Sequence, residues 1–111
     1  MDKDGYPEES DLKLIREWDY IDPRGLVEYL QSVWWAPDYI VIKRGRKRFF
    51  QTWIMRIFIS TVGWSGNEDI IEALKFNFFY NFYWIRSEIG GHYTFEIPIK
   101  TWNESGAGLK F

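Results

Sequence analysis

The chain contains no cysteine and a single histidine. Without cysteine it can form no disulfide bridge, thiolate zinc site or iron–sulfur cluster, and it has no thiol nucleophile. No aspartate-rich loop with calcium spacing is present either, so we predict neither a metal nor a cofactor. No run approaches the roughly 18 apolar residues of a membrane span, and the N-terminus lacks the basic and apolar regions of a signal peptide. We therefore expect a cytoplasmic protein with no membrane partner.

The length of 111 residues fits one domain that can bury a core of its own. Gly5, Pro7 and several acids predict a flexible acidic tail over residues 1–9. Residues 10–100 are expected to form the domain. The glycines and polar residues of 101–111 predict an irregular C-terminal tail.

Charge is unevenly distributed along the chain. Residues 1–35 carry nine acids and four bases, residues 36–61 carry one acid and six bases, and residues 62–111 carry six acids and four bases. Five of the central bases form a run interrupted only by one glycine: Lys43, Arg44, Arg46, Lys47 and Arg48. Such a run is a candidate contact for phosphate or for an acidic protein surface. It is equally consistent with a solvated hairpin tip or with an internal partner for the acidic N-terminal segment.

Three helices are predicted from start signals and apolar stripes. Asp22 can cap a helix whose first residue is Pro23, and a stripe of apolar residues follows it up to residue 34. Ser10 and Asp11 offer a cap to a shorter helix before it. Asn67 offers a cap to a third helix, in which acidic residues occupy the first turn.

Four strands are predicted from β-rich runs. Residues 39–42 and 48–62 are expected to form a hairpin with the basic run at its tip, and the long second arm is expected to bend. Residues 83–89 and 92–97 are joined by two glycines, which predicts a tight hairpin with a primed turn. Between Phe76 and Phe82 the sequence is ambiguous between helix and strand, and we place the change near Asn77.

The resulting order, α-α-β-β-α-β-β, predicts an α+β fold with a mixed four-stranded sheet and helices packed on one face. A right-handed crossover would make the strands that end at Val62 and Ile89 parallel. The loop at 64–67 and the turn at 90–92 would then meet at one edge, with the basic run at the opposite edge. Ligands often bind where strand ends meet a helix N-terminus.

The residues at that edge also suggest the hypothesis of a hydrolase active site. Ser65 could be a nucleophile and His92 its base, with Glu68, Asp69 or Glu96 as the orienting carboxylate. No GxSxG motif is present, and turn and capping roles explain the same residues. We therefore favour a non-enzymatic function and keep a small hydrolase as the second alternative.

The chain is also rich in aromatic residues, with seven tryptophans among them. This is more than one small core needs, so some rings should be exposed. Exposed rings can stack nucleic-acid bases beside a basic groove, which gives the first alternative, or they can form a protein interface. Because residues 48–62 and 78–89 carry apolar side chains on both faces, we expect a homodimer that covers residues such as Phe58.

Two segments, TVGWSGNEDIIEAL (Thr61–Leu74) and SEIGGHYTFEI (Ser87–Ile97), resemble segments of short uncharacterised proteins of bacteriophages and prophages. The resemblance implies no activity. It implies a small accessory protein made in a bacterial host cell. Such a protein is expected to act by non-enzymatic binding and to inhibit a host-defence or regulatory protein. The predicted binding residues are Lys43, Arg44, Arg46, Lys47, Arg48, Trp64, Asn67, Arg86 and His92.

Overall fold

A computed structural model describes residues 4–46 and 52–105. Its elements are α1 (Glu9–Glu17), α2 (Pro23–Val33), a 3₁₀ turn (Pro37–Tyr39), β1 (Ile40–Arg46), β2 (Trp53–Ser60), α3 (Ser65–Leu74), α4 (Phe78–Tyr83), β3 (Trp84–Glu88), β4 (His92–Pro98) and α5 (Ile99–Glu104). The predicted α+β class and the predicted order of the main elements are confirmed. Helices α4 and α5 were not predicted.

The four strands form one sheet in the order β1-β2-β4-β3, and each neighbouring pair is antiparallel. The prediction of a mixed sheet is therefore corrected. Strands β2 and β3 do run in the same direction, as expected, but β4 lies between them. Their carboxyl ends lie at the same edge, where the Thr61 N–H donates to the Gly91 carbonyl at 3.0 Å.

The helices cover one face of this sheet, and the core lies between the two layers. The sheet supplies alternate residues of its two central strands, Ile57, Ile59, Phe95 and Ile97. The helices supply Ile15, Leu26, Leu30, Ile70, Leu74 and Phe79, all of them almost fully buried. Each such side chain stabilises the fold by about 1.5–3 kcal/mol through the removal of apolar surface from water. The opposite face of the sheet, called the open face below, carries no helix in the described part of the chain.

The first two helices begin at capping residues. Asp22 caps α2, since its carboxylate accepts the Gly25 N–H at 3.0 Å, and Pro23 occupies the first helical position as predicted. Helix α1 begins earlier than predicted. Glu8 is its N-cap, and the Glu8 N–H donates to the Asp11 carboxylate at 2.9 Å in a capping box.

The aromatic segment after α3 is helical, which corrects the strand predicted from residue 78. Asn77 caps α4, because its side-chain oxygen accepts the Phe79 N–H at 2.9 Å. Helix α3 in turn begins at Ser65 with Trp64 as its N-cap, so the predicted cap at Asn67 is wrong by three residues. Asn67 lies inside the first turn of α3 and is buried.

Strands and termini also differ from the prediction. Strand β1 continues to Arg46, so the first bases of the run lie within a strand and not at a tip. Lys47 and Arg48 lie outside the described residues. Strand β2 has eight residues, which replaces the long bent strand predicted over 48–62. Three residues, 89–91, connect β3 to β4, and both glycines have positive φ.

Both predicted tails carry structure in their described parts. Helix α5 extends to Glu104, so the C-terminal segment is not irregular from residue 101. At the other end, the ring of Tyr6 packs on that of Trp64, with ring centroids 4.9 Å apart. The chain from residue 5 to residue 7 is therefore part of the fold and does not form a loose tail.

Candidate binding surfaces

The described bases of the run, Lys43, Arg44 and Arg46, are exposed and lie on the edge strand β1. Because side chains alternate along a strand, Arg44 and Arg46 share the helix-side face, while Lys43 points to the open face. In the β1–β2 register Arg46 lies opposite Trp53. The guanidinium carbons of Arg44 and Arg46 lie 4.7 Å and 4.9 Å from the centroid of the Trp53 ring.

This arrangement leaves two cations in a position to contact an anionic group. Arginine in contact with an indole ring keeps the N–H groups at the edge of its guanidinium available for a carboxylate or phosphate. Contact with Trp53 also restricts both side chains before binding, which lowers the entropy lost on association. The ring is 41% exposed, so it can itself contribute apolar contact area. We call Arg44, Arg46 and Trp53 the basic strand end.

The sixth base of the central segment, Arg56, is neutralised within the fold. Its Nε and one terminal nitrogen donate to the same oxygen of Glu96 at 2.9 Å and 2.7 Å, across the open face between β2 and β4. The Glu96 side chain is only 12% exposed. Arg56 is therefore a structural residue, and the charge available for binding lies on β1.

The open face is less apolar than the sequence indicated. The Arg56–Glu96 pair crosses its centre, and Phe58 beside it is half-buried. The expectation that Phe58 is an uncovered aromatic residue of this face is corrected. Its physical reason is the cross-strand register, which places Thr94 opposite Phe58 and the ion pair next to it.

A concavity of about 640 Å³ lies on the open face. Its lining includes His92 at the start of β4, Glu88 at the end of β3 and Asp38 from the 3₁₀ turn, with Phe58 and Ser60 contributed by β2. His92 therefore lies in a concave surface, and its predicted binding role stays a prediction. Arg86 is exposed on the neighbouring strand β3, opposite Thr94, and its Nε lies 3.4 Å from Glu88 Oε1.

Trp64 and Asn67, which were also predicted to bind, make contacts that hold the fold together. The Asn67 amide pairs with the backbone of Trp35, donating to its carbonyl at 2.9 Å and accepting its N–H at 3.0 Å. The Trp64 ring stacks on the Trp35 ring with centroids 5.1 Å apart. These two residues attach α3 to the end of α2.

The residues of the hydrolase alternative are in separate contacts. The Ser65 hydroxyl donates to the Tyr6 hydroxyl at 3.1 Å, whereas His92 lines the open-face concavity. Glu96 is bound to Arg56, and residues 68–69 are exposed on α3. Across the described ranges no hydrogen bond joins Ser65 to His92. The fold brings the two loops together but does not bring these side chains into a catalytic arrangement.

Two further features are absent from the part of the chain that the structure describes. It contains no group of three or more histidine, aspartate or glutamate side chains that could hold a metal ion. None of its helices is long and apolar enough to cross a membrane.

The sequence did not predict that Trp53 belongs to the basic strand end. It also led us to expect the exposed aromatic rings on the sheet. The exposed rings lie mainly on and beside α4, where Phe78 and Phe82 stack with centroids 5.9 Å apart and Tyr20 packs against both. Their spacing of four residues was a signal for one helical face. No periodicity in the sequence indicated that Trp53 lies beside Arg46. The two residues are neighbours because of the register in which β1 pairs with β2, and neither strand indicates that register by itself.

The chain was compared with protein-family models, with curated proteins and with solved structures, and none of them matches it.

Proposed function

We propose that this protein acts by non-enzymatic binding, and that the basic strand end contacts an acidic surface on a defence or regulatory protein of a bacterial host. The observation that carries the proposal is the pair Arg44 and Arg46, aligned on one face of an edge strand and held over an exposed tryptophan. In contrast to Arg56, neither arginine has a carboxylate partner among the described salt bridges. The bacterial setting of the partner is taken from the resemblance to phage proteins.

A protein partner is favoured over nucleic acid for two reasons. Two guanidinium groups already contact the ring of Trp53, so a base would have to displace one of them in order to stack there. The chain as a whole also carries a net charge of −2, which repels a phosphate backbone at longer range. A carboxylate-rich protein patch needs only the outward edges of the two guanidinium groups.

The test is affinity capture from bacterial lysate with three forms of the protein: wild type, Arg44→Ser/Arg46→Ser and the control Lys13→Ser/Lys100→Ser. The control removes the same charge from two exposed lysines outside the basic strand end. Loss of two charge-assisted contacts should reduce recovery of the partner about tenfold or more in the arginine variant alone. Folding, followed by circular dichroism, should be unchanged in both variants.

Equal recovery with all three forms, or recovery by none, would contradict the proposal. A mobility-shift assay with a single-stranded oligonucleotide separates the alternative. If the protein binds the oligonucleotide and affinity falls steeply between about 50 and 200 mM salt, nucleic acid replaces protein as the partner.

A further inference from the structure

Within residues 4–46 and 52–105, strand β3 forms an uncovered edge of the sheet. It pairs with β4 on one side, and all five of its residues are exposed. The other edge is β1. An edge strand presents backbone N–H and C=O groups that can pair with a further strand, and natural proteins usually block such edges with like charges or cover them.

The two edges differ in their charge patterns. Strand β1 carries Lys43, Arg44 and Arg46 with no acid, so two copies of it would repel each other. Strand β3 carries Arg86 and Glu88, which lie opposite Thr94 and His92 of β4 and therefore share the open face. A strand with one base and one acid two residues apart can complement a second copy of itself.

Symmetry limits the register of such a pair. Directly opposite residues in an antiparallel pair point to the same face of the sheet. The two-fold axis of a symmetric pair must therefore lie where a residue is opposite its own copy, and not between two successive residues. An axis at Arg86 or at Glu88 would set like charges against each other. An axis at Ser87 sets Arg86 opposite the second copy's Glu88, and does so twice, because the interface is isologous.

The same register also accounts for two exposed apolar residues. Ile89 is fully exposed and Ile85 is 40% exposed. With the axis at Ser87, Ile89, which follows the last residue of β3, comes close to Ile85 of the other copy, which lies at the register shift between Trp84 and Arg86. Cross-strand apolar contacts of this kind, like the opposite-charge pairs, stabilise a sheet.

We infer that this protein forms a symmetric dimer by antiparallel pairing of β3 with a second copy of β3, centred on Ser87. The two four-stranded sheets become one sheet of eight strands, with β1 outermost on each side. The two-fold axis is normal to the sheet, so the helices of both copies lie on the same side. The dimer carries one basic strand end at each far edge and can engage two acidic sites at once.

Site-specific disulfide formation tests the register, since the native chain has no cysteine. In the inferred dimer the two copies of residue 87 are directly opposite, with Cα atoms about 4.5–5.5 Å apart, a distance that a disulfide can span. Ser87→Cys should form a covalent dimer on mild oxidation. The controls are Glu88→Cys, whose copies lie diagonally at about 7–8 Å or more, and Ser10→Cys on α1. The inference is overturned if Ser87→Cys stays monomeric or if Glu88→Cys cross-links as fast.

Charge reversal tests the interface without oxidation. The wild type should sediment as a dimer at micromolar concentration. Arg86→Glu and Glu88→Arg each set like charges opposite one another and should weaken dimerisation about tenfold. The double variant Arg86→Glu/Glu88→Arg restores complementarity and should restore the dimer. A monomeric wild type, dimers that persist in both single variants, or a double variant that remains monomeric would each overturn the inference.

Discussion

Asn77 joins two helices through one buried amide group. Its nitrogen donates to the carbonyl oxygens of Ile15 and Trp18 at 2.9 Å and 2.8 Å, which satisfies the C-terminal end of α1. Its oxygen caps α4 through the Phe79 N–H. The residue is 3% exposed, so water cannot replace these bonds without a rearrangement of the structure.

Replacement of Asn77 by alanine should therefore be strongly destabilising. Loss of the cap, together with loss of the amide donor to the Ile15 and Trp18 carbonyls, should lower the free energy of unfolding by about 2–4 kcal/mol. Urea denaturation measures the change. Asn81→Ala, at an exposed position of the same helix, is the matched control and should have little effect. Equal unfolding of the two variants would contradict the capping role of Asn77.

Tyr29 and Asp11 form a hydrogen bond between α2 and α1, with the hydroxyl donating to the carboxylate at 2.8 Å. Burial, this hydrogen bond and the negative charge of Asp11 raise the pKa of Tyr29 to about 12. Burial acts to raise the pKa of Asp11 as well. The bonds from the Glu8 N–H and from Tyr29 outweigh it, and the pKa of Asp11 is lowered from its ordinary value.

These shifts predict how stability depends on pH. An unfolded tyrosine loses its proton near pH 10, so the contribution of Tyr29 is present below pH 10 and is lost as the pH rises to about 12. Asp11 acts in the opposite direction, and its contribution is lost as the pH falls below about 4. Thermal unfolding of Tyr29→Phe should show a smaller alkaline decline than wild type, with Tyr20→Phe as the control. An unchanged alkaline decline in Tyr29→Phe would contradict the assignment.

At the scale of elements, the parts that could be predicted are those with local signals. The cap at Asp22, the proline after it and the apolar stripe together predict α2, and all three operate within the helix. Helix α4 has aromatic residues that favour strands, and its cap depends on contacts with α1 some 60 residues earlier in the chain. Likewise, the bases of β1 were evident as a binding candidate, but their contact with Trp53 arises from strand pairing.

The Arg56–Glu96 ion pair joins strand β2 to strand β4. Arg56→Ala would leave the Glu96 carboxylate, 12% exposed, without its cation, and should lower the free energy of unfolding by about 1–3 kcal/mol. Glu96→Ala alone should also destabilise. The double replacement should cost less than the sum of the two, because neither charge is then left unpaired. Additive effects in this double-mutant cycle would show that the two side chains do not interact.

At the scale of the whole molecule, charge is separated along the sheet. The basic strand end occupies the outer strand β1, while acidic side chains gather on α1 and around the open-face concavity. A partner with an acidic surface is therefore steered to one edge of the protein and repelled from other parts of it. In the inferred dimer both far edges would be basic and the seam between the copies would carry paired charges. Binding and self-association would then use different strands of the sheet.

The most direct test of the binding account is a fluorine NMR titration of protein labelled with 5-fluorotryptophan. The seven tryptophans give separate probes across the fold, and Trp53→Phe identifies the resonance at the basic strand end. When the partner recovered from lysate is added, the Trp53 resonance should shift or broaden, while the buried Trp34 should not respond. A Trp53 resonance that stays unchanged while that of Trp64 or Trp84 moves would place binding elsewhere and contradict the account.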